Sequence, residues 1–277
     1  MKVREYVELS RPINVVMSII GVVIGAGLGG SINWYLVFLA IMAAGLFTAA
    51  GNALNDYIDR DLDKIAHPER PIPSGRLSPK EALKFSVTLF IISAVFASVL
   101  AFYKPLTLLI YVPALLLMIL YEVKAQLKNF GPLGNVVIAL LVGMTFSYGA
   151  LASNPNILAF MLTLYAFLSN WSREIIKDIE DMKGDKFAGR KTLPMILGED
   201  AAKKIGVVPI LLAVLTSPLP FIWREMGLLP FLFIVFGDMV FAYSIYLAIR
   251  AEYGKSQRIM KWGMIIILLA YILECIF

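Results

Sequence analysis

Apolar stretches about as long as a bilayer crossing, roughly 20 residues, recur along the chain between polar connections. They fall near residues 13–30, 35–55, 82–102, 106–121, 132–152, 157–177, 202–223, 228–249 and 260–277. Nine such windows predict an all-α polytopic membrane protein with nine transmembrane helices. The fourth window is the shortest, and merging one closely spaced pair gives a count of eight. No A-x-A-like cleavage pattern follows the first window, so it is expected to be a retained span and not a signal peptide.

The connections alternate in character. Residues 30–34, 103–105, 153–155 and 224–227 are short and nearly uncharged, whereas 56–80, 122–130, 178–200 and 250–255 are charged. Of the 25 Lys and Arg residues, all but Lys104 and Arg224 lie at the N-terminus, in the charged connections or on span ends beside them. The positive-inside rule therefore places the N-terminus and the charged connections in the cytoplasm, and an odd number of spans places the C-terminus outside. Topology accounts for the lysines and arginines. It does not explain why most of the acids gather on the same side.

Composition narrows the chemistry. Of 277 residues, 59% are hydrophobic, an excess that calls for lipid rather than a larger core. Cys275 is the single cysteine and His67 the single histidine, which excludes an internal disulfide, a Cys/His zinc site and catalysis by a histidine pair. The chain is expected to form one membrane domain, 1–277, with cytosolic cap segments at about 56–80 and 178–200.

The second span runs out into Asn52-Ala-Leu-Asn55-Asp56-Tyr-Ile-Asp59-Arg60-Asp61-Leu-Asp63. On a continuing helix, Asn52, Asn55, Asp56, Asp59 and Asp63 share about 100° of arc, while Arg60 and Asp61 point elsewhere. Three carboxylates on one face repel unless a cation sits among them, and hard oxygen donors of this kind suit Mg²⁺ shared with phosphate oxygens. The sixth span ends with Glu174, Lys177, Asp178, Asp181 and Asp185 at the same offsets, although Gly184 is a possible helix end. Asp63-Lys64-Ile65-Ala66 is echoed by Asp185-Lys186-Phe187-Ala188, and both are followed by an Arg and a Pro-containing turn. Two copies four spans apart read as a duplicated four-helix unit with a ninth helix added. A single such motif is usually a solvated helix face, but a pair at membrane-helix ends defaults to function. Two facing acidic sites call for a substrate with several anionic oxygens, and a diphosphate fits. Arg70, Arg76, Lys124, Lys128, Arg173, Lys177, Arg190 and Lys191 would complete the charge balance.

On these residues the sequence resembles the UbiA superfamily of intramembrane prenyltransferases over essentially its whole length. Asn55-Asp56-x-x-Asp59-x-x-x-Asp63 is similar to the family's NDxxDxxxD pattern, and Asp178 with Asp181-x-x-x-Asp185 to its second motif. His67-Pro-Glu-Arg70-Pro-Ile-Pro-Ser-Gly75 resembles the segment that follows, with a departure near His67, where the family usually has Asn. Tyr121, Lys124 and Lys128 resemble a smaller basic motif, and Gly134-Asn135 also looks familial.

The resemblance implies nine helices around a central cavity and a Mg²⁺-dependent transfer of a prenyl group from a polyprenyl diphosphate to a lipid-phase acceptor. Asn55, Asp56, Asp59, Asp63, Asp178, Asp181 and Asp185 would hold the metal, with Asp59, Asp181, Asn55 and Lys177 closest to catalysis. Arg70, Lys124, Lys128, Arg173, Asn135, Arg11 and Arg190 would bind the substrates. The run Arg70 to Arg76 looks most like the archaeal branch that moves a geranylgeranyl group from its diphosphate onto the hydroxyl of geranylgeranylglyceryl phosphate in ether-lipid synthesis. Tyr57 and Trp171 are candidates to stabilise an allylic cation. The rivals are prenylation of an aromatic quinone or haem precursor and, in another class, a membrane transporter. Asp238 and Glu274 lie well away from the acidic face, and no path of acids crosses the bilayer. Asp238 stands either as a functional acid or as a hydrogen-bonded neighbour. No nucleic-acid partner is expected.

Overall fold

The computed structural model describes residues 2–124, 131–187 and 191–277, without the side chains of 66, 123–124 and 183–187. Among the described residues the fold is all-helical and has no strand. The chain groups into two compact units, residues 1–125 with 145–155, and residues 126–144 with 156–277.

In the first unit, α1 (Val3–Ser10) is joined to α2 (Pro12–Gly27) through Arg11, whose φ of 48° is left-handed. Proline disfavours an α-helical residue before it, so the helix breaks at Arg11 and the two pieces meet at 53°. The long helix α3 (Trp34–Ile58) starts on the Asn33 side chain, which accepts from Tyr35 N at 3.1 Å. After the short α4 (Arg60–Ala66), helix α5 (Pro79–Tyr103) opens with a Ser78–Glu81 capping box. Alanines and serines let α5 lie close to α3. Ser93 Oγ donates to the Ala43 carbonyl at 2.7 Å and Ser86 Oγ to the Ala50 carbonyl at 2.8 Å. The fourth segment combines a 3₁₀ turn (Pro105–Thr107), α6 (Leu108–Ile119) and a π-helical turn (Leu120–Lys124). The end of α7 (Gly131–Ala152) completes this unit against α2. There a Cβ on Gly25 would strike the Phe146 carbonyl and one on Gly149 the Val22 carbonyl, so only glycine permits that approach.

The second unit contains the start of α7, then α8 (Ile157–Phe187), α9 (Leu193–Leu197), α10 (Glu199–Thr216), α11 (Leu219–Ile222), α12 (Leu228–Ile249) and α13 (Tyr253–Ile276). Helix α8 packs on α10 and α13, and α12 on α13. Buried hydroxyls of this unit bond across helices in the same way, Ser172 Oγ of α8 to the Gly206 carbonyl at 2.6 Å and Ser256 Oγ of α13 to the Ser244 carbonyl at 2.8 Å.

Seven of these helices are long and apolar enough to cross a membrane, and the bent α1–α2 pair raises the number to eight. The sixth expected span falls on α8, which is not among them. It is helical for 31 residues, but Ser169, Asn170, Arg173 and Glu174 cut its apolar run short after residue 168. Large apolar side chains are exposed throughout, Trp34 at 64%, Leu109 at 67% and Phe102 at 82% among them, a surface suited to lipid and not to water. The protein is therefore a multi-pass membrane protein.

Candidate active site

The first acidic motif is carried by two helices. Asn55 and Asp56 lie in the last turn of α3, the helix breaks at Asp59, and Asp63 lies on α4. The continuous helix expected here is thus corrected. The break is local, since Asp59 N still donates to the Asn55 carbonyl at 2.9 Å and Asp63 N to the Asp59 carbonyl at 2.8 Å. Asp61 and Asp63 in the first turn of α4 favour a new helix start, because carboxylates complement the positive N-terminal end of the helix dipole.

Asp56 and Asp63 are almost fully buried, at 3% and 4% exposure. Arg11 pairs with Asp56, and Arg70 reaches Asp63 at 2.7 Å and Asp56 at 3.5 Å. Asn55 Nδ2 donates to Asp59 Oδ2 at 3.1 Å, and its Oδ1 accepts from Arg11 at 3.3 Å. The structure therefore gathers Arg11, Asn55, Asp56, Asp59, Asp63 and Arg70 into one network. Arg11 is delivered by the α1–α2 break, and Arg70 by the turn after α4. The Arg70 turn is fixed by Ile72 and Leu77, which bury with Leu9 and Ala53.

Asn52, expected on this face, and other polar residues near it have partners of their own. Asn52 Nδ2 donates to the Ser10 carbonyl at 2.9 Å and so ties the end of α1 to α3. Arg76 makes a two-pronged pair with Glu8 at 2.7 and 2.9 Å, which raises the Arg76 pKa and leaves it a fastener of α1. Arg60 lies over the Tyr57 ring at 4.8 Å, so that ring already faces a cation. Asp61 is exposed, and its pair with Lys64 lowers its pKa. His67 Nδ1 lies 3.5 Å from Glu69, a polar loop contact.

In the second unit, α8 passes through Gly184 to Phe187, so its acids sit on one unbroken helix. Asn135 Nδ2 donates to Asp178 Oδ2 at 2.8 Å. Arg173 pairs with the neighbouring Glu174, and Lys177 and Asp181 are exposed on the same helix. Trp171 stacks on Phe167 at 5.5 Å. Lys128 and Arg190 lie outside the described residues, and the side chains of Lys124 and Asp185 lie outside the described side chains. Asp238 accepts from Ser217 Oγ at 2.5 Å, the hydrogen-bonded alternative of the two expected for it.

One site residue had escaped the sequence. Glu122, on the π-helical turn, is 2% exposed and accepts from Asn55 Nδ2 at 2.9 Å. A carboxylate at the end of an apolar run looks like the start of a loop. The available signal was the cost of an acid within one residue of a span end.

Among the described residues no three Asp, Glu, His or Cys side chains converge as a ready-made metal cage. The donors nevertheless fit Mg²⁺, which usually takes one or two carboxylates and fills its remaining positions with water and substrate phosphate. Asp56 and Asp63 are buried carboxylates already turned toward cationic partners, Arg11 and Arg70.

Fold and site together define a multi-pass helical membrane protein with a buried acid-and-arginine centre at a helix end. The model of the UbiA prenyltransferase family matches residues 15–268, and the chain belongs to that family. It is 39% identical to the digeranylgeranylglyceryl phosphate synthase of Methanopyrus kandleri, over 97% of this chain and 98% of that protein. The enzyme of the same name from Methanosphaera stadtmanae is 34% identical over 96% and 97% of the two chains. A solved structure concerned with digeranylgeranylglyceryl phosphate synthase in membranes shares 34% identity and a TM-score of 0.88, covering 99% of both chains. A UbiA homologue from Archaeoglobus fulgidus, bound to DMAPP and Mg²⁺, shares the fold at a TM-score of 0.70 and 17% identity, over 95% of this chain and 99% of that one.

Proposed function

We propose that the protein transfers a geranylgeranyl group from geranylgeranyl diphosphate to the hydroxyl of geranylgeranylglyceryl phosphate, a step of archaeal ether-lipid synthesis. The observation that carries this reading is full-length similarity, at 34–39% identity, to relatives bearing the corresponding name. The buried Asp56–Arg70–Asp63 network supports it, because it supplies the hard-oxygen and guanidinium chemistry that a diphosphate requires.

Asn55, Asp56, Asp59 and Asp63 of the first unit and Asp178, Asp181 and Asp185 of the second would hold Mg²⁺ for the diphosphate. When bound, the metal neutralises charge on the leaving group. Arg70, Arg173, Lys177 and Arg190 would donate to diphosphate oxygens, with Lys124 and Lys128 serving either these or, with Arg11, the phosphate of the acceptor. Asn135 orients Asp178. The C1–O bond of the allylic diphosphate breaks with its electron pair leaving on the diphosphate, and the acceptor oxygen bonds to C1. The hydroxyl proton passes to a diphosphate oxygen. The cap segments at 56–80 and 178–200 exclude water from the allylic cation. Nine helices around a cavity, built as two four-helix repeats plus one in a single membrane domain, complete the reading. The cell membrane, with the acidic ends in the cytoplasm, is the expected location.

The test is turnover by purified protein in lipid nanodiscs, with labelled geranylgeranyl diphosphate and either geranylgeranylglyceryl phosphate or 4-hydroxybenzoate, with Mg²⁺ or with EDTA. Mass spectrometry should find the doubly prenylated glyceryl phosphate, in the Mg²⁺ reactions only. A prenylated aromatic as the sole product would overturn the acceptor assignment.

A further inference from the structure

The side chain of Glu122 reaches the first acidic motif from 67 residues away, buried to 2% exposure, and meets Asn55 there. A carboxylate removed from water beside other carboxylates is costly unless its charge is used by a specific donor. Asn55 is one donor to it. One hydrogen of its amide goes to Asp59 Oδ2 at 3.1 Å and the other to Glu122 Oε1 at 2.9 Å, while Oδ1 faces the Arg11 guanidinium at 3.3 Å. Turning the amide over would set its oxygen against two carboxylate oxygens and its NH₂ against a guanidinium. With two anions on one side, that orientation is closed.

We infer that Glu122 is a positioning residue: it holds the amide of Asn55 with Oδ1 turned to the side where Asp56 and Arg11 lie, and thereby raises the affinity of the first motif for divalent metal. The inference rests on the proposed metal role of that motif. Asp59 and Arg11 hold the amide from one side each and leave its second hydrogen without an acceptor. Glu122 supplies that acceptor as a third point, from a different helix, and so ties the amide to the π-helical turn. Groups that orient a metal ligand in this way typically contribute about 10–100-fold to metal affinity.

The experiment titrates Mn²⁺ into the purified protein in detergent and follows the free-ion signal by electron paramagnetic resonance, with no substrate present. Glu122→Ala should weaken Mn²⁺ binding about tenfold or more. Glu122→Gln should recover most of that loss, because its Oε1 still accepts from Asn55. Thermal melts of both variants identify any loss that comes from unfolding, and the Gln variant keeps the shape of the site. Unchanged Mn²⁺ affinity in Glu122→Ala, with weakened affinity in an Asn55→Ala control, overturns the positioning role alone. Unchanged affinity in the Asn55→Ala control overturns the metal reading of the motif and this inference with it. Equal loss in the Gln and Ala variants, both folded, also overturns it, since the acid would then act through its charge or its proton.

Discussion

Arg70 holds two buried carboxylates with one guanidinium, Asp63 at 2.7 Å and Asp56 at 3.5 Å. Removing one partner of a buried ion pair leaves the other charge uncompensated, at a cost of about 3–5 kcal/mol. Arg70→Ala should therefore melt well below the parent protein. Added MgCl₂ should return part of the difference, because the metal replaces the lost positive charge. A melting temperature in Arg70→Ala that ignores Mg²⁺ would contradict the assignment of Asp56 and Asp63 as ligands. Asp59→Ala and Asp181→Ala differ in kind. Asp59 is half-buried at a helix break and Asp181 is exposed, so neither is a packing residue. Both variants should remain folded and lose about 100-fold or more in turnover, the usual scale when a group stabilising transition-state charge is removed. Full activity with an intact melt in either variant would remove that residue from the metal set. Composition and spacing were enough to single out Asp56, Asp59, Asp63 and Arg70. They could not foretell that Arg76 and Asn52 would be diverted, because Glu8 and the Ser10 carbonyl approach only once α1 has folded back.

At the scale of elements, α1 is the part whose loss would disarm the site without touching an acid. Its Leu9 is completely buried with Ile72 and Leu77, and the residue two positions on is Arg11. Leu9→Ala should cost about 2–5 kcal/mol, as cavities left by buried leucines do. Glu8→Gln removes one partly exposed pair and should cost about 1 kcal/mol or less. Chemical or thermal melts of the two variants test that ordering, and the reverse order would mean that α1 is held by charge. Gly149→Val in α7 forces a side chain into the Val22 carbonyl and should destabilise by about 1–3 kcal/mol. The spans were legible because membrane helices need long apolar runs, and helix ends near Tyr103, Ala152 and Ile249 agree with the runs to within a residue. The break at Asp59 was not, because each residue around it is acceptable in a helix, and nothing local announces a turn with its hydrogen bonds nearly intact. The π-helical turn at Leu120–Lys124 was hidden for a similar reason. An extra residue per turn leaves no trace in hydrophobic periodicity.

For the whole molecule, function depends on which side of the membrane the acidic ends face, and the distribution of charge along the chain points to the cytoplasm. Translocating a segment rich in Lys and Arg is disfavoured, so short basic connections stay inside. The one lysine near the opposite helix ends explains itself locally: Lys104 Nζ donates to the Ser153 carbonyl at 2.6 Å, just past the end of α7, where a cation complements exposed carbonyls. It is a cap and carries no topological weight. Orientation can be read with an impermeant maleimide, because Cys275 is the only native thiol and Cys275→Ser clears the background. In that background Ser74→Cys, in the turn after Arg70, should resist labelling in intact cells and react after permeabilisation. Glu225→Cys, in the connection before α12, should react in both. Both positions are exposed, so failure of each to label after permeabilisation is not expected from burial. Labelling of Ser74→Cys in intact cells would put the Asp56–Arg70–Asp63 network outside the cell, away from any cytoplasmic supply of a diphosphate substrate, and the proposed reaction would have to be abandoned even with every residue of the site in its place.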